Sequence, residues 1–228
     1  MLTPVETTAL ELSLRVGLWA VAGGLPIAIA LAYLLARGNF RGRALLAALV
    51  DLPLVLPPVV TGYALLLLFG RHGPVGAWLE SWFGIVVAFR WTGAAIAAAV
   101  MGLPLMVRAI KLSLDAIEPG LEQAAAGLGA PRSAVFATIT LPLALPGVLV
   151  GALLGFAKSL GEFGATITFV SNIPGETQTL PIAIYSLLQV PGSDAAVLRL
   201  VALSVVVSLG GVFAAELVAA RLRRRIAS

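Results

Sequence analysis

The sequence predicts an all-α fold, a polytopic transmembrane helical bundle of about five spans. Of its 228 residues, 60% are hydrophobic and only 11% are charged, and the mean hydropathy is +1.03. Too few polar side chains remain to cover the surface of a soluble protein of this size. The apolar residues also form separate runs close to the length of about 20 residues that crosses a bilayer as a helix. The predicted spans are 12–36, 44–69, 92–106, 143–169 and 197–220.

The second run is not expected to form one straight helix, because Pro53, Pro57 and Pro58 interrupt it. Proline is tolerated in the first turn of a helix but breaks a helix interior. We therefore predict a short helix at the inner interface up to about Val50, then a bend. A spanning helix should begin near Pro57 or Pro58.

Two segments between spans are expected on the outer side. Segment 71–90 carries Trp78, Trp82 and Trp91 as interface anchors, and part of it suits an interfacial helix. Segment 171–198 contains proline and glycine turns at 172–175 and 190–193.

Basic residues cluster in short loops and near the C-terminus, at 37–43, 108–111 and 221–225. The positive-inside rule places such clusters on the cytoplasmic side, and five spans put all three there. The N-terminus is then outside and the C-terminus cytoplasmic. The net charge of +4 thus reflects the topology of the chain, and no nucleic-acid partner is expected. The C-terminal cluster is expected to contact membrane lipid. Without a basic flank, the first run is not expected to be a cleaved signal.

Residues 118–142 form a polar, punctuated stretch on the same side as these clusters. Pro119 suits the start of a helix, and Gly127 and Gly129 should break it. Pro131 can start a second short helix, and Leu141 should end it, because proline at 142 disfavours a helical residue before it. A water-exposed helix–turn–helix is expected, since frayed backbone ends cannot lie in lipid.

The composition and motifs offer no catalytic set. The chain has no cysteine, and its single histidine, His72, falls in a predicted outer loop without metal or triad partners. No GxxxxGK[ST] phosphate-binding loop is present. We therefore expect no catalytic residue, no metal and no cofactor, and if the chain serves active transport, the energy must come from elsewhere.

The polar stretch resembles a known signature. It is similar to the EAA loop of ABC importer permeases, whose pattern is EAA-x3-G-x9-I-x-L-P. The matching residues are Gln123-Ala124-Ala125, then Gly129 after three residues, and Ile139-Thr140-Leu141-Pro142 after nine more. Gln123 stands where that family has glutamate, and Glu122 precedes it. Segments 51–60, 106–111, 158–169 and 170–179 resemble the permease of molybdate ABC importers, nearly end to end.

The resemblance implies a single ABC transmembrane domain over 1–228, with a cytoplasmic coupling loop at 115–142, in a bacterial or archaeal inner membrane. It implies a homodimer with two cytoplasmic ATPase subunits, loaded by an extracytoplasmic molybdate-binding protein. The chain itself would not be an enzyme. The residues that it assigns to ATPase coupling are Glu122, Gln123, Ala124, Ala125, Gly129, Ala130, Pro131, Ile139, Leu141 and Pro142.

Lys158 and Glu162 are four residues apart in a predicted span, and an ionisable residue there is a functional-site hypothesis. An equally weighted interpretation is a structural pair near the outer interface. Glycine and hydroxyl residues follow and suit a desolvating anion. The candidate pathway or gate residues are Lys158, Glu162, Gly164, Thr166 and Thr168.

Other functions remain open at this point. A sulfate or tungstate permease would share much of this pattern. An ion-coupled secondary transporter would need a mid-membrane ion site, for which Asp51 beside the broken segment is the only hint, although a capping role suits Asp51 better. A channel would need a selectivity filter or a charged ring, and the sequence shows neither.

Overall fold

The computed structural model describes residues 3–226, with side chains described through residue 213 and at Leu217. This part of the chain is helical and contains no strand. The helices are α1 Pro4–Arg37, α2 Arg43–Val55, α3 Pro58–Phe69, α4 Pro74–Phe83, α5 Trp91–Asp115, α6 Pro119–Gly127, α7 Arg132–Val135, α8 Leu141–Leu160, α9 Gly164–Val170, α10 Leu180–Leu188 and α11 Asp194–Ile226. A π-helical segment, Phe136–Thr140, joins α7 to α8. The all-α prediction is confirmed.

The core of the bundle is α5, which packs against α1 on one side and α8 on the other. Its buried residues are mostly small, and Ala94, Ala97 and Ala98 have no exposed surface. Small residues allow backbones to approach closely, which supplies the van der Waals contact on which helix association in lipid depends. Met106 of α5 fills the remaining space between Gly24 of α1 and Gly155 of α8.

A stripe of three glycines along α8 makes this approach possible. Gly147, Gly151 and Gly155 of α8 are all buried and all face α5. A Cβ atom at Gly151 would lie 3.0 Å from the carbonyl oxygen of Met106. The stripe is therefore a packing surface.

The proline-interrupted run forms a bent pair of helices, as predicted. The pair α2 and α3 turns through 113° at residues 56–57, and α3 begins at Pro58. Helix α2 ends at Val55, beyond the predicted end near Val50, and it includes Pro53 near its C-terminal end. Within the described residues, four helices are long and apolar enough to span, and the bent pair makes a possible fifth.

The prediction that Leu141 ends a helix is wrong. Helix continues from Arg132 to Leu160, because the backbone widens into the π segment immediately before Pro142. The N–H of Leu141 donates to the carbonyl of Phe136, five residues earlier. A π turn before proline relieves the clash that a regular helix would impose on the preceding turn.

The span predicted over 143–169 is interrupted, which is a second correction. Helix α8 ends at Leu160, and α9 starts at Gly164 after a break at Gly161. The break is satisfied locally, because the N–H of Glu162 donates to the Ser159 carbonyl at 3.3 Å. Such a break is tolerated at membrane depth only where protein or water covers it.

The N-terminal ends of α1 and α11 are tied together by a buried carboxylate. Glu6, which is 3% exposed, accepts hydrogen bonds from Arg199 Nη2 at 2.9 Å and Nε at 3.1 Å. Glu6 and Thr3 also form a capping box at the start of α1. Nearby, the Leu180 N–H donates to Ser13 Oγ at 2.7 Å and fixes α10 to α1.

The outer and terminal segments agree in part with their predictions. Helix α4 occupies part of 71–90, and Trp78 and Trp82 on it are exposed. Trp91 instead begins α5, where it packs against Trp19 and lies under the Arg15 guanidinium. The side chains of the arginine cluster at 221–225 lie outside those that the structure describes.

The close approach of α8 to α5 should not tolerate a methyl group. A Cβ at Gly147 would overlap Ser113 and lie 2.9 Å from the carbonyl oxygen of Ala109. Overpacking of this kind costs about 1–3 kcal/mol, so Gly147→Ala should lower the apparent melting temperature of the detergent-solubilised protein. Gly23→Ala is the matched control, since a Cβ there would meet nothing within 4 Å. Equal melting temperatures for the two variants would contradict this packing.

Candidate functional site

The helix–turn–helix after α5 is built on a glycine corner, as predicted. Helix α6 ends at Gly127, and Gly129 follows with φ of +89°, in the left-handed region that glycine adopts without strain. The Ala130 N–H donates to the Ala125 carbonyl at 3.2 Å, and the Gly129 N–H donates to that of Ala126 at 3.0 Å. These two bonds define a Schellman motif, which fixes the direction of the chain into Pro131, the N-cap of α7.

The two faces of α6 have different surroundings. Gln123 and Ala124 are exposed, whereas Glu122 and Ala125 are partly covered by the bundle. No residue of α6 is buried, and Leu128 at the corner is 91% exposed. The predicted coupling residues therefore divide into an outward set that a partner can reach and an inward set that contacts this chain.

Glu122 belongs to the inward set. Its Oε2 accepts a hydrogen bond from Arg37 Nε at 2.9 Å, and its Oε1 accepts one from Thr140 Oγ1 at 2.7 Å. Arg37 Nη2 also donates to the Leu114 carbonyl at 3.0 Å, near the end of α5. The sequence reasoning missed this pairing, because Arg37 fitted a topology signal and Thr140 was the variable position of the loop signature.

The remaining predicted coupling residues lie along the helix that leads into α8. Ile139 and Leu141 are half-buried, and Pro142 is exposed. A groove of about 970 Å³ separates this helix and α6 from the end of α1. Tyr33, Arg37, Gln123, Arg132 and Phe136 are among its lining residues.

The predicted pathway residues lie at the break between α8 and α9. Lys158 Nζ donates to Glu162 Oε2 at 2.7 Å, and the Glu162 side chain is only 2% exposed. Its other oxygen accepts the Ala165 N–H at 3.1 Å, in the first turn of α9. The charged pair therefore spans the break and satisfies a backbone donor that the break leaves open.

The small and hydroxyl residues of α9 are engaged within the protein. Gly164 packs on Pro58 of α3, where a Cβ would lie 2.8 Å from the proline Cβ. Thr166 is buried, and Thr168 Oγ1 donates its proton to the Gly164 carbonyl at 2.8 Å. In this conformation, the Thr168 hydroxyl proton is not free for an anion.

Asp51 does not cap the broken segment, which corrects the sequence-based expectation. It lies inside α2 and forms a bidentate pair with Arg108 of α5, at 3.0 Å from Nε to Oδ1 and 2.9 Å from Nη2 to Oδ2. Its carboxylate thus joins two helices. His72 is exposed, and the described residues contain no group of three or more His, Cys, Asp or Glu side chains that could hold a metal ion.

A bundle of helices long and apolar enough to cross a bilayer, with an exposed helix–turn–helix, defines the class of polytopic membrane proteins. Within that class, the family described as "Binding-protein-dependent transport system inner membrane component" matches residues 24–224. The chain belongs to this family.

Relatives of known name extend over nearly the whole chain. The "Molybdenum transport system permease protein ModB" of Escherichia coli (strain K12) is 54% identical, over 99% of this chain and 98% of that protein. The protein of the same name from Haemophilus influenzae is 52% identical over 97% of both chains. Among solved structures, a bacterial ABC transporter for alginate import superposes with a TM-score of 0.75 at 20% identity, covering 96% of this chain and 80% of that one. This likeness confirms the permease fold.

The Lys158–Glu162 pair should contribute strongly to stability, because its carboxylate is buried. Glu162→Ala leaves the Lys158 cation and the Ala165 N–H without their acceptor, and loss of one partner of such a pair costs about 3 kcal/mol. The double variant Lys158→Met with Glu162→Gln keeps an amide acceptor and removes both charges, so most of the stability should return. Apparent melting temperatures measure both effects.

A matched control is Glu80→Ala, since Glu80 pairs with Arg71 at 3.9 Å on the exposed surface. Exposed pairs contribute little, so this variant should melt close to the unmodified protein. If it loses as much stability as Glu162→Ala, or if the double variant is no better than the single one, the buried pair is not a stabilising element.

Proposed function

We propose that the chain is the transmembrane permease of an ATP-driven importer that translocates molybdate delivered by an external binding protein. The observation that carries this proposal is identity above 50%, over nearly full length, to two relatives named for molybdenum transport. The buried small-residue core and the exposed helix–turn–helix support a subunit that receives work from a partner. A sulfate or tungstate permease of the same class is the alternative substrate assignment.

The proposed assembly is a homodimer of the permease with two cytoplasmic ATPase subunits and an extracytoplasmic molybdate-binding protein. Residues 1–228 form one transmembrane domain in it. The outward set of α6, with Leu128 and the glycine corner, is the surface proposed to dock on the ATPase. No residue of α6 is buried, and its Schellman motif holds the corner in one shape. A rigid element is required if nucleotide-driven movement is to reach the spans.

The residues Lys158, Glu162, Gly164, Thr166 and Thr168 are proposed to line the anion pathway or its gate. Their position at a helix break supports this, because broken helices often form the binding sites of transporters. The double variant described above separates this role from a structural one, since it should fold without either charge. Uptake at the unmodified rate by that variant would exclude a pathway role for the charges.

Transport in proteoliposomes tests the main proposal. The complex with its ATPase subunit should take up molybdate when ATP and a molybdate-loaded binding protein are present. Sulfate-loaded binding protein should give little stimulation of ATP hydrolysis. Uptake that persists without the ATPase subunit would favour an ion-coupled transporter, and equal stimulation by sulfate would change the substrate assignment. Omission of ATP is the control.

The proposed topology places the N-terminus outside and the coupling loop in the cytoplasm. Because the chain has no cysteine, single cysteines report accessibility directly. Trp82→Cys on α4, where the tryptophan is 76% exposed, should react with an impermeant maleimide added to intact cells. Leu128→Cys should react only in inside-out vesicles, and bound ATPase subunit should protect it. Labelling of both positions from the same side would contradict this topology.

A further inference from the structure

Glu122, Arg37 and Thr140 form a polar cluster at the inner end of the bundle, which we call the Glu122 joint. The Arg37 and Glu122 side chains are 21% and 19% exposed, and Thr140 is 1% exposed. Each oxygen of the carboxylate accepts one strong hydrogen bond, at 2.9 Å and 2.7 Å. A partly buried carboxylate with both oxygens engaged is held in one orientation.

The joint connects four elements that are far apart in the sequence. Glu122 is on α6, Arg37 is the last residue of α1, and Thr140 ends the π segment that leads into α8. Arg37 also donates to the Leu114 carbonyl near the end of α5. The joint therefore brings the inner ends of the three central helices to a single side chain of α6.

Little else attaches this face of α6 to the bundle. The helix has no buried residue, so apolar packing contributes little to its position. The groove beside it leaves part of its surface open. Polar contacts through Glu122 must then determine how α6 sits relative to α1, α5 and α8.

The π segment is part of the same arrangement. One additional residue in a helical turn rotates everything beyond it by about 100° relative to a regular helix. The segment ends at Thr140, and Thr140 faces Glu122. The widened turn that accommodates Pro142 thus also sets the angle between the Thr140 hydroxyl and α7.

We propose that Glu122 is a positioning residue that transmits movement of α6 to α1, α5 and α8 from within this chain, and that it is not a contact to the ATPase. This inference rests on the proposed function and refines it, since it moves Glu122 from the docking surface to the interior. Gln123 and Leu128 then provide docking, and the Glu122 joint provides transmission.

Thr140 offers the sharpest test, because two substitutions separate its hydroxyl from its shape. Thr140→Val keeps the volume and leaves Glu122 Oε1 without its donor, whereas Thr140→Ser keeps the donor. We expect Thr140→Val and Glu122→Gln to reduce molybdate transported per ATP hydrolysed about tenfold, equivalent to about 1.4 kcal/mol of coupling. Thr140→Ser should retain the unmodified ratio, and the amount of ATPase subunit that co-purifies should be unchanged in all three.

Additional variants make the result specific to the joint. Arg37→Gln and Glu122→Gln should be non-additive when combined, because they break the same interaction. Glu11→Gln, at an exposed carboxylate of α1, is the control for the loss of one negative charge. Variants are compared only as assembled complexes, verified by size-exclusion chromatography. If the Glu122→Gln permease is already unstable before the ATPase subunit is added, the Thr140 pair decides alone.

Two results would overturn the proposal. Unmodified transport per ATP in Thr140→Val would show that the joint does not transmit movement. Loss of ATPase binding in Glu122→Gln, with Thr140→Val unaffected, would show that Glu122 contacts the partner instead. Failure of the proposed function is distinguishable, since the unmodified complex would then show no uptake that depends on ATP.

Discussion

The structure depends on the close approach of α5 to α1 and α8. Lipid is as apolar as the side chains that face it, so burial of apolar surface does not drive helices together there. The approach instead relies on the small residues of α5 and on the stripe Gly147, Gly151 and Gly155 of α8. With α5 between them, the C-terminal end of α1 and the N-terminal end of α8 come together, and only then can one arginine contact both α6 and the end of α5.

The charged residues follow from the same constraint. A charge near the apolar region is expensive unless it is paired, and three of the described pairs join helices that packing brings close. Glu6 with Arg199 joins α1 to α11, and Asp51 with Arg108 joins α2 to α5. Arg37 with Glu122 joins α1 to α6. These pairs connect helices that are far apart in the sequence.

Features that depend on local backbone chemistry were predictable from the sequence. The bend at Pro57 and Pro58, the left-handed turn at Gly129 and the glycine stripe of α8 each follow from what one residue type permits. The continuity of the helix through Pro142 was not predictable, because a π turn relieves the proline clash at a cost that only packing can offset. The break at Gly161 was also missed. It depends on Glu162, which caps α9, and the continuous apolar run there predicts a single helix instead.

The candidate site shows the same division. The loop signature placed the coupling residues on one helix–turn–helix, and a lysine four residues before a glutamate suggested the Lys158–Glu162 pair. The partners of Glu122 come from positions 85 residues before it and 18 residues after it. Contacts at such separation depend on tertiary packing, and no local pattern encodes them. A single sequence therefore identifies an exposed segment more readily than the interior contacts behind it.

The two broken helices give the proposed mechanism a direction. Helix α9 packs on α3, where a Cβ at Gly62 would lie 2.9 Å from the Cα of Ala165. Helix α3, the second helix of the bent pair, and helix α9, which follows the break, are thus held to each other. In the proposed mechanism, work that enters α8 near Thr140 reaches α9 across the break that Lys158 and Glu162 span, and also through α5, which packs against both α8 and α9. A continuous helix would carry movement of its inner end to its outer end unchanged, whereas a break held by one charged pair allows α9 and α3 to tilt together. Movement would then enter α8 at the Glu122 joint and leave it at the Lys158–Glu162 pair. The two ends are separated by about 30 Å, at 1.5 Å per residue over the 20 residues of α8.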